Sequence, residues 1–125
     1  MNIRTLQRGL QYCGRVKAVR QTYHVFEAAG YFFVLSFAIS KARRGSGYFN
    51  VVDKAAVEYV HRRLGGSRSV TAKSVVAAAR RTRHVRSTLF ALNILYVLVA
   101  LDQATLIRTG EHRQLFFAVR KARHR

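Results

Sequence analysis

Ser87-Thr88-Leu89-Phe90-Ala91-Leu92-Asn93-Ile94-Leu95-Tyr96-Val97-Leu98-Val99-Ala100-Leu101 is the stretch on which the reading of this chain turns. Ser87 suits a helix N-cap, where a hydroxyl can accept a backbone N–H of the first turn. Residues 88–101 hold no charge, Gly or Pro, so the pattern predicts a helix from Thr88 to about Leu101. From Leu89 onward only Asn93 interrupts the apolar run. A bilayer-spanning helix needs about 20 residues and this run is about 13, which excludes a membrane span. A helix that is apolar all round is covered all round. Leu89, Leu92, Leu95, Tyr96 and Val99 are therefore expected in a core.

The flanks of that helix carry their own signals. Behind it, Thr105-Leu106-Ile107-Arg108, the turn Thr109-Gly110-Glu111-His112 and Arg113 to Arg120 read as a β-hairpin, with the tail Lys121-Ala122-Arg123-His124-Arg125 after it. Ahead of it, Thr71 suits an N-cap, with Val70 and Val75 placed for a hydrophobic staple and a helix running to about Arg81. Earlier still, Asp53 suits an N-cap, Val57, Val60 and Leu64 form one stripe, and Gly65-Gly66 ends that helix. Towards the N-terminus, Ile3, Leu6 and Leu10 fall at helical spacing between basic residues. They predict a basic amphipathic helix in the first twenty residues, frayed near Gly9 and Gly14. Tyr23-His24-Val25-Phe26, a turn at Glu27-Ala28-Ala29-Gly30, and Tyr31 to Ser40 predict a hairpin. Its second arm is apolar on both faces, so both faces are expected to be covered. Tyr48 to Val52 adds a short third strand. The expected fold class is α+β.

Helix, short helix, longer helix, β-hairpin is an order that resembles the winged-helix family over residues 53–121. The segment His112-Arg113-Gln114-Leu115-Phe116-Phe117 is similar to the wing of archaeal and eukaryotic ribosomal winged-helix proteins, which also runs His, Gln, apolar, apolar, aromatic. The resemblance implies three helices plus a β-hairpin wing, and it implies nucleic-acid binding. It divides the chain into a basic N-terminal helix and β-hairpin extension at 1–52 and a winged-helix domain with a basic C-terminal tail at 53–125.

Charge points to the same partner. The chain carries 23 Lys and Arg against 5 Asp and Glu, a formal net charge of +18. A compact domain so charged repels itself, and a polyanion relieves that repulsion while counterions are released. Half of the residues are apolar, too many for a disordered basic tail. Arg dominates over Lys, and its planar fork suits phosphate and stacks on bases. The basic residues are spread along the chain, but two groups stand out. One is the loop Lys41, Arg43, Arg44 with Gly45-Ser46-Gly47; it lacks the spacing and Lys-Ser/Thr ending of a P-loop. The other is the turn Arg80, Arg81, Arg83, His84 and Arg86 before the apolar helix. Arg108 and Arg113 on the wing and Lys121, Arg123 and Arg125 in the tail complete the predicted nucleic-acid contacts. Tyr31, Phe32, Tyr48 and Phe49 are candidates for stacking on bases, against a structural reading as core.

Catalysis and cofactors are not expected. The five acids are scattered, whereas metal-dependent nucleases cluster carboxylates. His24, His61, His84, His112 and His124 have no paired spacing, and one cysteine cannot build a zinc site. Cys13, alone, excludes an internal disulfide and fits a reducing, cytoplasmic setting. The opening Met1-Asn2-Ile3-Arg4 shows no apolar signal region. The long helix lacks Arg and Lys and has one amide, so it is poorly equipped to read bases in a DNA major groove. The sequence thus reads as a structural RNA-binding protein contacting rRNA phosphates, a ribosomal or ribosome-associated component with other ribosomal proteins as neighbours. The alternative is a DNA-binding winged-helix protein (a regulator, a chromatin protein or a viral packaging protein), which would use the apolar helix as a homodimer face.

Overall fold

The structure, a computed structural model, describes residues 9–18, 21–37, 47–107 and 114–122. Rich in aromatic and β-branched residues, the N-terminal part forms an antiparallel sheet of β1 (Gln11–Lys17), β2 (Thr22–Ala28), β3 (Tyr31–Phe37) and β4 (Gly47–Asp53), in that spatial order. Three helices come next: α1 (Lys54–Leu64), α2 (Ala72–Ala78) and α3 (Thr88–Ala100). A two-stranded sheet closes the chain, β5 (Ala104–Ile107) pairing antiparallel with β6 (Phe116–Val119). The molecule is of the α+β class. Val70, between α1 and α2, bridges Phe117 of β6 through two 2.8 Å backbone hydrogen bonds, one in each direction.

Side chains opposite one another in neighbouring strands share a face of the sheet. Gly14, Val25, Val34 and Asn50 lie in one such row, and Glu27, Phe32 and Val52 in another. Val25, Val34 and Val52 are fully buried there and belong to a core that continues into the helices through Val57, Val60, Val75, Ile94, Leu95 and Leu98. The opposite face carries the rows Tyr12–Phe26–Phe33–Val51 and Arg15–His24–Leu35–Phe49. Phe33 is buried, yet it stands outside that core cluster.

At the centre is α3, touching α1, α2, β5 and all four strands of the large sheet. Its cap is the one its sequence implies: Ser87 Oγ accepts the Phe90 N–H at 3.1 Å. Thr71 caps α2 and forms a reciprocal box with Ser74, whose N–H it accepts at 3.2 Å while its own N–H reaches Ser74 Oγ at 2.7 Å. Val70 and Val75 are both in the core.

Several expectations need correction. Residues 11–17 form a strand, not a continuation of an amphipathic helix, and Leu10 from the proposed stripe is about half exposed. Gly14 marks a β-bulge at Cys13 rather than a frayed helix end. Its φ is +153°, and a Cβ there would lie 2.7 Å from the Ala100 carbonyl oxygen, so glycine lets β1 approach the C-terminal end of α3. Residues 1–8 lie outside the described residues. Asp53 precedes α1 in extended conformation but makes no side-chain cap bond. Helix α2 stops at Ala78, because the chain turns at Ala79. Leu89 is 51% exposed, while Leu95 and Tyr96 are buried and Leu92 and Val99 are half-buried against the core. Only the first turn of α3 emerges from its packing.

Candidate nucleic-acid interface

The turn between α2 and α3 is pinned at both ends. Ala79 and Val85 are buried, and Thr82 clasps the turn between them. The Thr82 N–H and hydroxyl both donate to the Ala79 carbonyl, at 2.9 and 2.8 Å, and its Oγ1 accepts the His84 N–H at 3.3 Å. With those positions held inward, Arg80, Arg81, Arg83 and Arg86 are all exposed. None of the four joins an ion pair among the described residues, where the pairs formed are Lys54–Glu27 at 3.5 Å and Arg120–Asp102 at 3.4 Å. His84 is half-buried, its ring 5.2 Å from that of Tyr59 of α1, so it serves as a side support of the turn.

An open cleft of about 390 Å³ runs beside the turn, lined by Arg83, His84, Arg86, Ser87 and Phe90 and, across from them, by Val51 and Asp53 of β4. The basic turn is thus adjacent to the free edge of the large sheet. Lys121 is also exposed. Lys41, Arg43, Arg44, Arg108, Arg113, Arg123 and Arg125 lie outside the described residues, so the structure brings together only the 80–86 group.

The polar capacity of α3 is turned inward. Asn93 is fully buried, its Nδ2 donating to the Tyr48 hydroxyl at 2.7 Å and to the Leu89 carbonyl at 2.9 Å. Tyr48 meets Tyr23 edge-on at 5.2 Å, and Tyr23 stacks on Tyr96 at 4.4 Å. Burial pushes the Tyr48 and Tyr96 hydroxyls above the ordinary phenol range, with Asn93 partly offsetting the effect at Tyr48 and Tyr23 adding to it at Tyr96. Of the four aromatic candidates, Phe32 and Tyr48 therefore belong to the core side, whereas Phe49 and Tyr31 fall on the outer rows of the sheet. Sequence reasoning misses Tyr12, exposed on the same outer face, because the spacing around it reads as helix. Burial, reinforced by Glu27, raises the Cys13 thiol above its usual range, which disfavours the thiolate.

Among the described residues no group of three or more His, Cys, Asp or Glu side chains is gathered as for a metal ion, and no helix is long and apolar enough to cross a membrane. Comparison with protein-family models, with curated proteins and with solved structures gives no match for this chain.

Proposed function

We propose that this protein binds folded RNA through phosphate contacts, as a structural component of a ribonucleoprotein, with the ribosome the assembly that its composition fits best. The observation that carries this reading is the contrast at the α2–α3 turn: Arg80, Arg81, Arg83 and Arg86 are exposed to solvent, and the helix after them is packed into the core from Ala91 onward. Phosphate contacts position a protein without reading sequence, and an irregular RNA backbone suits a turn better than a groove-reading helix would. A winged-helix arrangement of residues 53–121 goes with it. Its supports are the order α1, α2, α3, β5, β6 and the Val70–Phe117 bridge, which ties the chain between α1 and α2 to β6. In the DNA reading the helix after the turn would enter the major groove, and its only amide, Asn93, is already engaged with Tyr48 and Leu89.

The test is a salt titration with a folded rRNA fragment and a DNA duplex of equal charge. Affinity for RNA is expected to fall roughly a thousandfold between about 50 and 200 mM salt if about six phosphates are contacted. Replacing Arg80, Arg81 and Arg83 by Glu should weaken RNA binding by about a hundredfold and lower the salt slope by about three, with no change in melting temperature. Tighter binding to the duplex DNA, or a salt-independent affinity, would overturn the reading.

A further inference from the structure

The outer face of the large sheet is unlike an ordinary solvated face. Tyr12 and Phe49, on its two edge strands, are 50% and 59% exposed. Between them lie Phe26 and Phe33, with Tyr12 edge-on to Phe26 at 5.2 Å and Phe33 stacked with Phe49 at 6.0 Å. Four aromatic rings thus cross the sheet from β1 to β4, a width of about 14 Å at about 4.8 Å per strand spacing. Arg15 and Lys17 stand exposed on the same face, and Asp53, at the end of β4, is the one carboxylate there among the described residues. The cleft lined by Arg83 and Arg86 opens onto Val51, which belongs to the row of Tyr12, Phe26 and Phe33.

We infer that this face is a platform for unpaired RNA bases, continuous with the phosphate-binding turn. The inference rests on the RNA reading above and adds a substrate class to it: a single-stranded segment, its backbone held at Arg83 and Arg86 and its bases laid over Phe49 and towards Tyr12. Charge selects the occupant. A second copy of a chain with net charge +18 would bring like charges together across Arg15 and Lys17, whereas a polyanion is drawn to them. Exposed ring faces stack on any base, so the platform is tolerant of sequence. Phe49 and Tyr12 are the half-exposed rings of the group, with buried Phe33 stacked against Phe49 and the Tyr12 hydroxyl tied to His24 Nδ1 at 3.1 Å.

Binding of an oligouridine of about 12 nucleotides, compared with a fully paired RNA duplex, tests this. The double variant Tyr12→Ala, Phe49→Ala should lose about tenfold or more of its single-strand affinity and keep duplex affinity within about twofold. A second double variant, Tyr12→Phe with Phe49→Tyr, preserves both ring faces and should bind oligouridine like the parent. Unchanged oligouridine binding by the alanine variant overturns the platform, as does equal loss of both RNAs. So does a parent that dimerises in sedimentation through this face and is made monomeric by the alanine variant, with oligouridine binding unaffected. A parent that binds duplex but not oligouridine defeats the platform and leaves the phosphate reading standing; a parent that binds neither defeats both.

Discussion

Residues 79–87 and 88–100 are adjacent in sequence and opposite in physical design. The turn has four guanidiniums within seven residues and spends its polar bonds on fixing its own backbone. The helix has no charge, and its one amide is consumed inside the core. Ala79 and Val85 share the core that buries the helix, while the four Arg side chains near them are left exposed. If the Arg turn binds RNA as proposed, stability and binding lie in separate residues and should be separable by mutation.

The sharpest separation uses Leu95, fully buried at the centre of α3. Leu95→Ala should cost about 2–5 kcal/mol, the lost burial of the side chain plus the cavity it leaves in the core. Its RNA affinity, measured where the protein is still folded, should match the parent. The Arg80, Arg81, Arg83 to Glu variant should show the inverse pattern. A Leu95→Ala protein that melts like the parent, or that loses affinity as strongly as stability, would break the comparison.

Gly14 tests how closely the sheet must approach α3. Gly14→Ala places a methyl group against the Ala100 carbonyl and strains a backbone at φ +153°, so we expect a loss of about 2–3 kcal/mol by thermal unfolding. Affinity for paired RNA, held through the Arg turn, should again be retained, since the contact lies at the end of α3 remote from the turn. A neutral effect would mean that the bulge is free to shift.

A smaller effect comes from the Tyr23–Tyr48–Tyr96 cluster, which packs α3 against the same inner face of the sheet. The raised Tyr48 and Tyr96 hydroxyls mean that the folded state holds protons which the unfolded chain releases near pH 10. Stability is therefore full below pH 10 and falls as pH rises above it. Tyr96→Phe removes one of these groups. Its melting temperature should decline less steeply than the parent's between about pH 9.5 and 11.5. Parallel curves for the two proteins would show that Tyr96 ionises without cost.

The helical half is legible in the sequence because its signals are local. Ser87 and Thr71 form the cap bonds that their positions imply, and the apolar run after Ser87 has helical length. The exposed Arg turn is legible for the same reason. Pairing at a distance is what escapes. Residues 11–17 look helical when counted from Ile3 and Leu6, but β1 is made by its register with β2, and the bulge at Cys13 breaks the two-residue alternation that would have announced a strand. The aromatic outer face is equally hidden, because Tyr12, Phe26, Phe33 and Phe49 come from four strands and meet only through three registers. Treating α3 as uniform misplaces Leu89, because the first turn of the helix is left exposed while the following turns are packed.

The smallest expected effect concerns the turn that sets those registers. Ala29 and Gly30 connect β2 and β3 with φ values of +55° and +82°. Two positive values in a two-residue hairpin fit the twist of antiparallel strands and favour Asn-Gly, whereas alanine at the first position carries a steric cost of about 1 kcal/mol. Ala29→Asn should remove most of that cost without the added chain entropy that glycine would bring. We expect a gain of about 0.5–1 kcal/mol, visible as a rise of a few degrees in melting temperature. Because β2 and β3 carry both the buried Val25–Val34 pair and the outer Phe26–Phe33 pair, a firmer turn should tighten both faces equally. RNA affinity through the Arg turn should not change. If Ala29→Asn destabilised the protein, the positive φ at Ala29 would not be a source of strain in the central hairpin.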